Sequence, residues 1–145
     1  MQTLAGTRKT YRVSSLISSV FLMVSCLSAT SHAKPLLRCY VSYAGSVQTI
    51  QSLIVQDPYD VKTNDIGERF TFKAVMVGKE QSIDYVKLYA YFQTRHGDIP
   101  IHQATYLPPF KVSPQESPLT PQNSVYAGAV ERELQYRCTL QEVQQ

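Results

Sequence analysis

The chain has no tryptophan, three cysteines, three histidines and no excess of one charge sign outside its first dozen residues. It also lacks any apolar run of roughly 20 residues, the length a membrane-spanning helix needs. The longest apolar stretch, residues 16–27 (LISSVFLMVSCL), is too short and too rich in serine to span. No Gly-x-Ser-x-Gly elbow, His-Glu-x-x-His pair or glycine-rich phosphate loop occurs, which argues against the common hydrolase, metalloprotease and nucleotide-binding chemistries. Glu131 and Glu133 share one strand face, but a glycosidase pair must face each other across a substrate. The sequence therefore points away from an enzyme and towards a non-enzymatic role.

The start of the chain has the layout of a cleaved export signal. Arg8, Lys9 and Arg12 form a basic region, the apolar stretch follows, and Ser31 and Ala33 are the small residues a signal peptidase reads. The pattern predicts cleavage after Ala33, with residues 34–145 as one domain, secreted or periplasmic. A second route runs through Met23-Val24-Ser25-Cys26, which resembles a bacterial lipobox and implies a lipoprotein anchored at Cys26. The three basic residues account for the net charge of +3; the remaining 11 Lys plus Arg balance 11 Asp plus Glu. A neutral, sign-mixed chain carries no long-range field for polyanions, so nucleic acid is disfavoured as a partner.

In an exported chain Cys39 and Cys138 are expected to pair. Closing a loop of about 100 residues is worth about 4 to 5 kcal/mol in the chain-entropy account. A redox-active pair is more often closely spaced, as in Cys-x-x-Cys, so the bridge reads as structural.

The strongest structural signal is a hairpin. Residues 68–77 (ERFTFKAVMV) and 83–94 (IDYVKLYAYFQT) are rich in aromatic and β-branched residues, and a polar connector at 78–82 joins them. Side chains alternate between the two faces of a strand. Phe70, Phe72, Ala74 and Met76 thus share one face of the first run, and Val86, Leu88, Ala90 and Phe92 one face of the second. Residues 36–43 and 131–141 alternate in the same way, with Cys39 and Cys138 on the apolar faces. Residues 47–55 lose alternation at Leu53-Ile54-Val55, and Asp57-Pro58-Tyr59-Asp60 breaks that run. Residues 99–107 read as a strand with an edge-like start at Pro100. Residues 108–123 hold five of the eight prolines and read as a long irregular loop.

No segment sustains a helical period. About seven short strands with turns between them predict an all-β fold, an antiparallel β-sandwich or small barrel with its terminal strands tied by one disulfide. The Tyr136-x-Cys138 spacing is similar to the tyrosine corner of immunoglobulin domains, so the sandwich is expected to be immunoglobulin-like in architecture. The absence of tryptophan departs from that pattern.

Two surfaces are candidates for function. Tyr85, Lys87, Tyr89 and Tyr91 project from one strand face opposite the apolar one. Exposed tyrosines with a cation among them suit contact with a protein or a cell-envelope component; the competing reading has the proline-rich loop covering them. His96, Asp98 and His102 lie close in sequence and form the alternative, a metal or small-ligand site, although zinc sites usually take three or four protein ligands. No cofactor is implied. Asp57, Asp60, Asp65 and Glu68 are interrupted by Lys62 and match no calcium-loop spacing, so they read as solvated loop charges.

Overall fold

The computed structural model describes Gly6 and residues 33–144. The expected export signal, residues 1–33, lies outside the described residues except for Gly6 and Ala33, and so does Cys26 with its lipobox resemblance.

In chain order the strands are β1 (Ala33–Tyr43), β2 (Ser46–Val55), β3 (Asn64–Ile66), β4 (Phe70–Lys79), β5 (Ser82–Thr94), β6 (Gly97–Tyr106), β7 (Ser117–Pro118), β8 (Asn123–Ala127) and β9 (Arg132–Gln144). Two 3-10 turns, Pro58–Asp60 and Gly128–Val130, interrupt them. The chain is all-β, as its alternation predicts. Hydrogen bonding runs in the order β6-β5-β4-β2-β1-β9-β7, with β3 added to β4 and β8 added to β9. The sheet curls until β6 approaches β8, nearly closing a barrel around one core.

Two features depart from the expected pattern of about seven antiparallel strands. β3 and β7 are only three and two residues long, too short to leave a period-two signature. The contact between β2 and β4 is parallel, with Ile54 and Val55 opposite Met76 and Val77, so the sheet is mixed. This contact explains the lost alternation at residues 53–55. The strand leaves β1 after Leu53 and turns onto β4, and the Ser52 hydroxyl donates to the Ala74 carbonyl at 2.8 Å across that corner. Strands that bend from one sheet half to the other are how packed sheets make corners.

The core is built from the alternating positions. Leu37, Cys39 and Val41 of β1, Phe70, Phe72 and Met76 of β4, Val86 and Leu88 of β5, and Leu134, Tyr136 and Leu140 of β9 are all sealed from solvent. Phe72 and Tyr136 meet with ring centroids 5.1 Å apart, joining the two halves through the middle. Cys39 and Cys138 stand directly opposite each other on β1 and β9, Cα atoms 4.0 Å apart, and form the expected disulfide. It therefore links hydrogen-bonded neighbours within one layer.

The hairpin connector is shorter than expected. Pairing continues through Lys79 and Ser82, leaving Glu80 and Gln81 as the turn. One extra residue, Asp84, is absorbed by a register shift at Val77/Gly78. A Cβ at Gly78 would stand 2.0 Å from the Ser82 carbonyl oxygen, so glycine is required there by close backbone approach.

Candidate functional site

β5 lies between β4 and β6, and its outward side chains form the middle row of a concave surface. Tyr85, Lys87, Tyr89 and Tyr91 are each half-buried. Across the strands Tyr89 stands opposite Lys73, Lys87 opposite Val75, and Tyr91 opposite Thr71. On the other flank Lys87, Tyr89 and Tyr91 face Thr105, Gln103 and Pro100 of β6. The pleat alone produces this interleaving, because residues paired across a ladder point to the same face.

One wall comes from the turn after β2. Pro58 and Tyr59 line the same concavity, a volume of about 340 Å³. Asp57 holds the turn by accepting the Tyr59 amide at 2.8 Å. Tyr59 is 88% exposed, the most exposed large apolar side chain among the described residues. Its flank on β4 is Val75, an outward-facing residue that is nonetheless buried at 2% exposure. In the sequence Asp57-Pro58-Tyr59-Asp60 reads as a strand breaker, and alternation does not place Tyr59 beside β5. The signal available was an aromatic side chain placed inside a proline turn.

Within the face, the Tyr89 and Tyr91 rings stack with centroids 6.2 Å apart and planes 19° from parallel. The Lys87 ammonium sits 5.4 Å from the centre of the Tyr85 ring, within cation–π range. Burial, the Tyr89 phenol and the Asp98 carboxylate push the Tyr91 hydroxyl above the ordinary tyrosine range. Tyr91 is thus a neutral hydrogen-bond donor at physiological pH.

The proline-rich loop does not cover this surface. It lies over β1 and β9 instead. Ser117 and Pro118 pair with Leu140 and Thr139, and Phe110, Val112 and Leu119 pack on the core. The Glu116 carboxylate forms an ion pair with Arg38 and accepts hydrogen bonds from Tyr40 at 3.0 Å and Thr139 at 3.3 Å. A second arginine stiffens that region, the Arg137 guanidinium lying 4.2 Å from the Tyr40 ring centre.

The structure does not bring His96, Asp98 and His102 together. His96 sits in the exposed turn between β5 and β6. Asp98 lies on the outer face and accepts from the Thr71 hydroxyl at 2.8 Å. His102 lies on the opposite face, where its Nε2 meets the buried Tyr136 hydroxyl at 2.7 Å. Ile101 is the extra residue at a register shift between Ala90 and Tyr91, which helps separate Asp98 from His102. Among the described residues no group of three or more His, Cys, Asp or Glu side chains is arranged to hold a metal ion. Of the acidic residues near β3, Asp65 accepts the Glu68 amide at 3.0 Å and the Gln93 side-chain amide at 2.7 Å.

In comparisons with known proteins, no family model matches the chain, and no curated protein and no solved structure matches it either.

Proposed function

We propose that this is an exported, non-enzymatic β-domain that binds a protein or cell-envelope component through the tyrosine face of β5. The observation that carries the reading is the openness of that face. A row of half-buried tyrosines and lysines is walled by Pro58 and Tyr59 on one side, while the proline-rich loop is anchored elsewhere. Tyrosine supplies large contact area and a polar tip with little entropy to lose on docking, which is why it concentrates at recognition surfaces. The buried disulfide supports an oxidising compartment and hence export, periplasmic or extracellular.

Tyr89→Ala with Tyr91→Ala tests the reading in the purified 34–145 domain. Retention on the native envelope fraction should fall about tenfold, the scale of losing one interface anchor, with the thermal midpoint nearly unchanged. Undiminished retention overturns the reading, and a matched loss of stability would make the rings structural. The mass of the protein recovered from its envelope decides the route of export: a chain beginning at Lys34 marks plain cleavage, a lipidated Cys26 the anchored form.

At the level of architecture, we read the curled sheet as two halves layered over one core, immunoglobulin-like in that layering only. Such a likeness carries no function.

A further inference from the structure

The tyrosine face holds an uncompensated pair of cations. Lys73 and Lys87 are diagonal neighbours on β4 and β5, because Lys73 stands opposite Tyr89 and Lys87 opposite Val75. Diagonal positions on one sheet face place Cβ atoms about 7 to 8 Å apart. No carboxylate lines the concavity. Among the described residues neither Lys73 nor Lys87 forms an ion pair; the Arg38–Glu116 pair lies on the other half of the sheet. Asp98, whose charge reaches Tyr91, is engaged by the Thr71 hydroxyl, and Asp57 in the wall is engaged by the Tyr59 amide. Two lysines rooted on adjacent strands of one face bring like charge together, and an anion between them relieves that repulsion. The phenols of Tyr59, Tyr85, Tyr89 and Tyr91 surround the pair with donors and flat apolar rings.

We propose that the face binds an acidic polysaccharide, its carboxylates seated on Lys73 and Lys87 and its sugar rings laid against the tyrosines. This names the ligand class of the site proposed above and rests on that proposal. The sheet context favours a glycan over a peptide. β5 is hydrogen-bonded on both sides, to β4 and to β6, so the face offers no free backbone edge for an added strand. It offers no deep apolar pocket for the anchors of an amphipathic helix either. Flat aromatic faces, hydroxyl donors and fixed cations are what a rigid, hydroxylated, carboxylate-bearing chain uses. Outside the leader the charges balance, so attraction is local to the groove and does not extend to polyanions at large.

Alginate oligosaccharides provide the probe, titrated into the 34–145 domain and followed by calorimetry and by NMR shifts of the tyrosine rings. Neutral dextran oligosaccharides and polyglutamate serve as comparators. Alginate should bind with shifts confined to Tyr59, Tyr85, Tyr89 and Tyr91. Lys73→Gln with Lys87→Gln should weaken it by roughly tenfold or more, in line with loss of charge-assisted hydrogen bonds. The same variant should keep the wild-type melting temperature and lose the salt dependence. Equal binding of dextran overturns the role of the lysines, and tighter binding of polyglutamate overturns the glycan in favour of an acidic peptide. Failure of alginate to bind, while envelope retention still depends on Tyr89 and Tyr91, overturns this inference and leaves the recognition face standing. Loss of both dependences overturns the two together.

Discussion

Tyr136 of β9 reaches across the core to Phe72 of β4 and His102 of β6. It is fully buried, packs on Phe72 and shares a hydrogen bond between its hydroxyl and His102 Nε2. A buried polar group left without its partner costs about 1 to 3 kcal/mol. Tyr136→Phe keeps the ring and removes only the hydroxyl, leaving the His102 nitrogen unpaired. Denaturant unfolding should show a loss of about 1 to 2 kcal/mol. No loss would mean that water replaces the hydroxyl at His102. Burial, helped by the neighbouring Tyr106, raises the Tyr136 hydroxyl far above the ordinary tyrosine range. A raised pKa in the folded state contributes stability that is present below the unfolded value of about 10 and lost as pH rises beyond it. Wild-type stability should therefore decline above about pH 10 more steeply than that of Tyr136→Phe. Parallel pH profiles would locate the alkaline loss in other residues.

Two elements carry predictions of their own. In the β4–β5 hairpin, Gly78→Ala drives a methyl group into the Ser82 carbonyl, a backbone atom that cannot swing aside. The variant should lose about 1 to 3 kcal/mol, the usual cost of overpacking. An unchanged midpoint would mean that the register shift relocates freely. In the proline-rich loop, Glu116 is the anchor. Burial opposes its charge, but hydrogen bonds from Tyr40, Arg38 and Thr139 outweigh it and hold the carboxyl below the usual glutamate range. Its contribution is present above the unfolded value of about 4.3 and vanishes as pH falls through the folded one. Glu116→Gln at neutral pH should cost at most about 1 kcal/mol, since the pair is partly solvated. The loss should be local. Amide exchange protection at Leu119 and Thr120, which donate to the Cys138 carbonyl, should fall while the β4–β5 hairpin keeps its own. Equal loss in both would make the loop part of a single cooperative unit.

At the scale of the molecule, first and last strands are neighbours, and the Cys39–Cys138 bridge joins them at a point where they already pair. Its value lies mainly in the unfolded chain, where it closes a loop of about 100 residues. Cys39→Ser with Cys138→Ser should lower the unfolding free energy by about 4 kcal/mol. A loss of under about 1 kcal/mol would mean the crosslink restricts the unfolded ensemble little. Cleavage after Ala33 would remove only the outermost pair of that ladder, Ala33 with Gln144. A chain beginning at Lys34 should therefore melt within about 0.5 kcal/mol of one that keeps Ala33.

Much of this architecture is written in period-two alternation. The inward faces of β1, β4, β5 and β9 follow from local sequence, because a strand with one buried side must repeat every second residue, and the disulfide follows from Cys39 and Cys138 being the two cysteines of residues 34–145. Chain pairing that joins distant segments leaves no such trace. The parallel contact of β2 with β4, the two-residue β7 and the bulge at Ile101 depend on which strands the core draws together. The candidate site divides the same way. Tyr85, Lys87, Tyr89 and Tyr91 are legible as one face of one strand. The wall at Tyr59, the closeness of Lys73 to Lys87, and the resting place of the proline-rich loop were decided by tertiary structure. So was the separation of His102 from Asp98, since a single bulged residue inverts which face a side chain takes. The sequence by itself determined the all-β class, the core faces and the disulfide, all short-period or covalent properties. Only the fold decided which outward face stays open, because that depends on where a loop of 16 residues, 108–123, finds its own apolar and ionic partners.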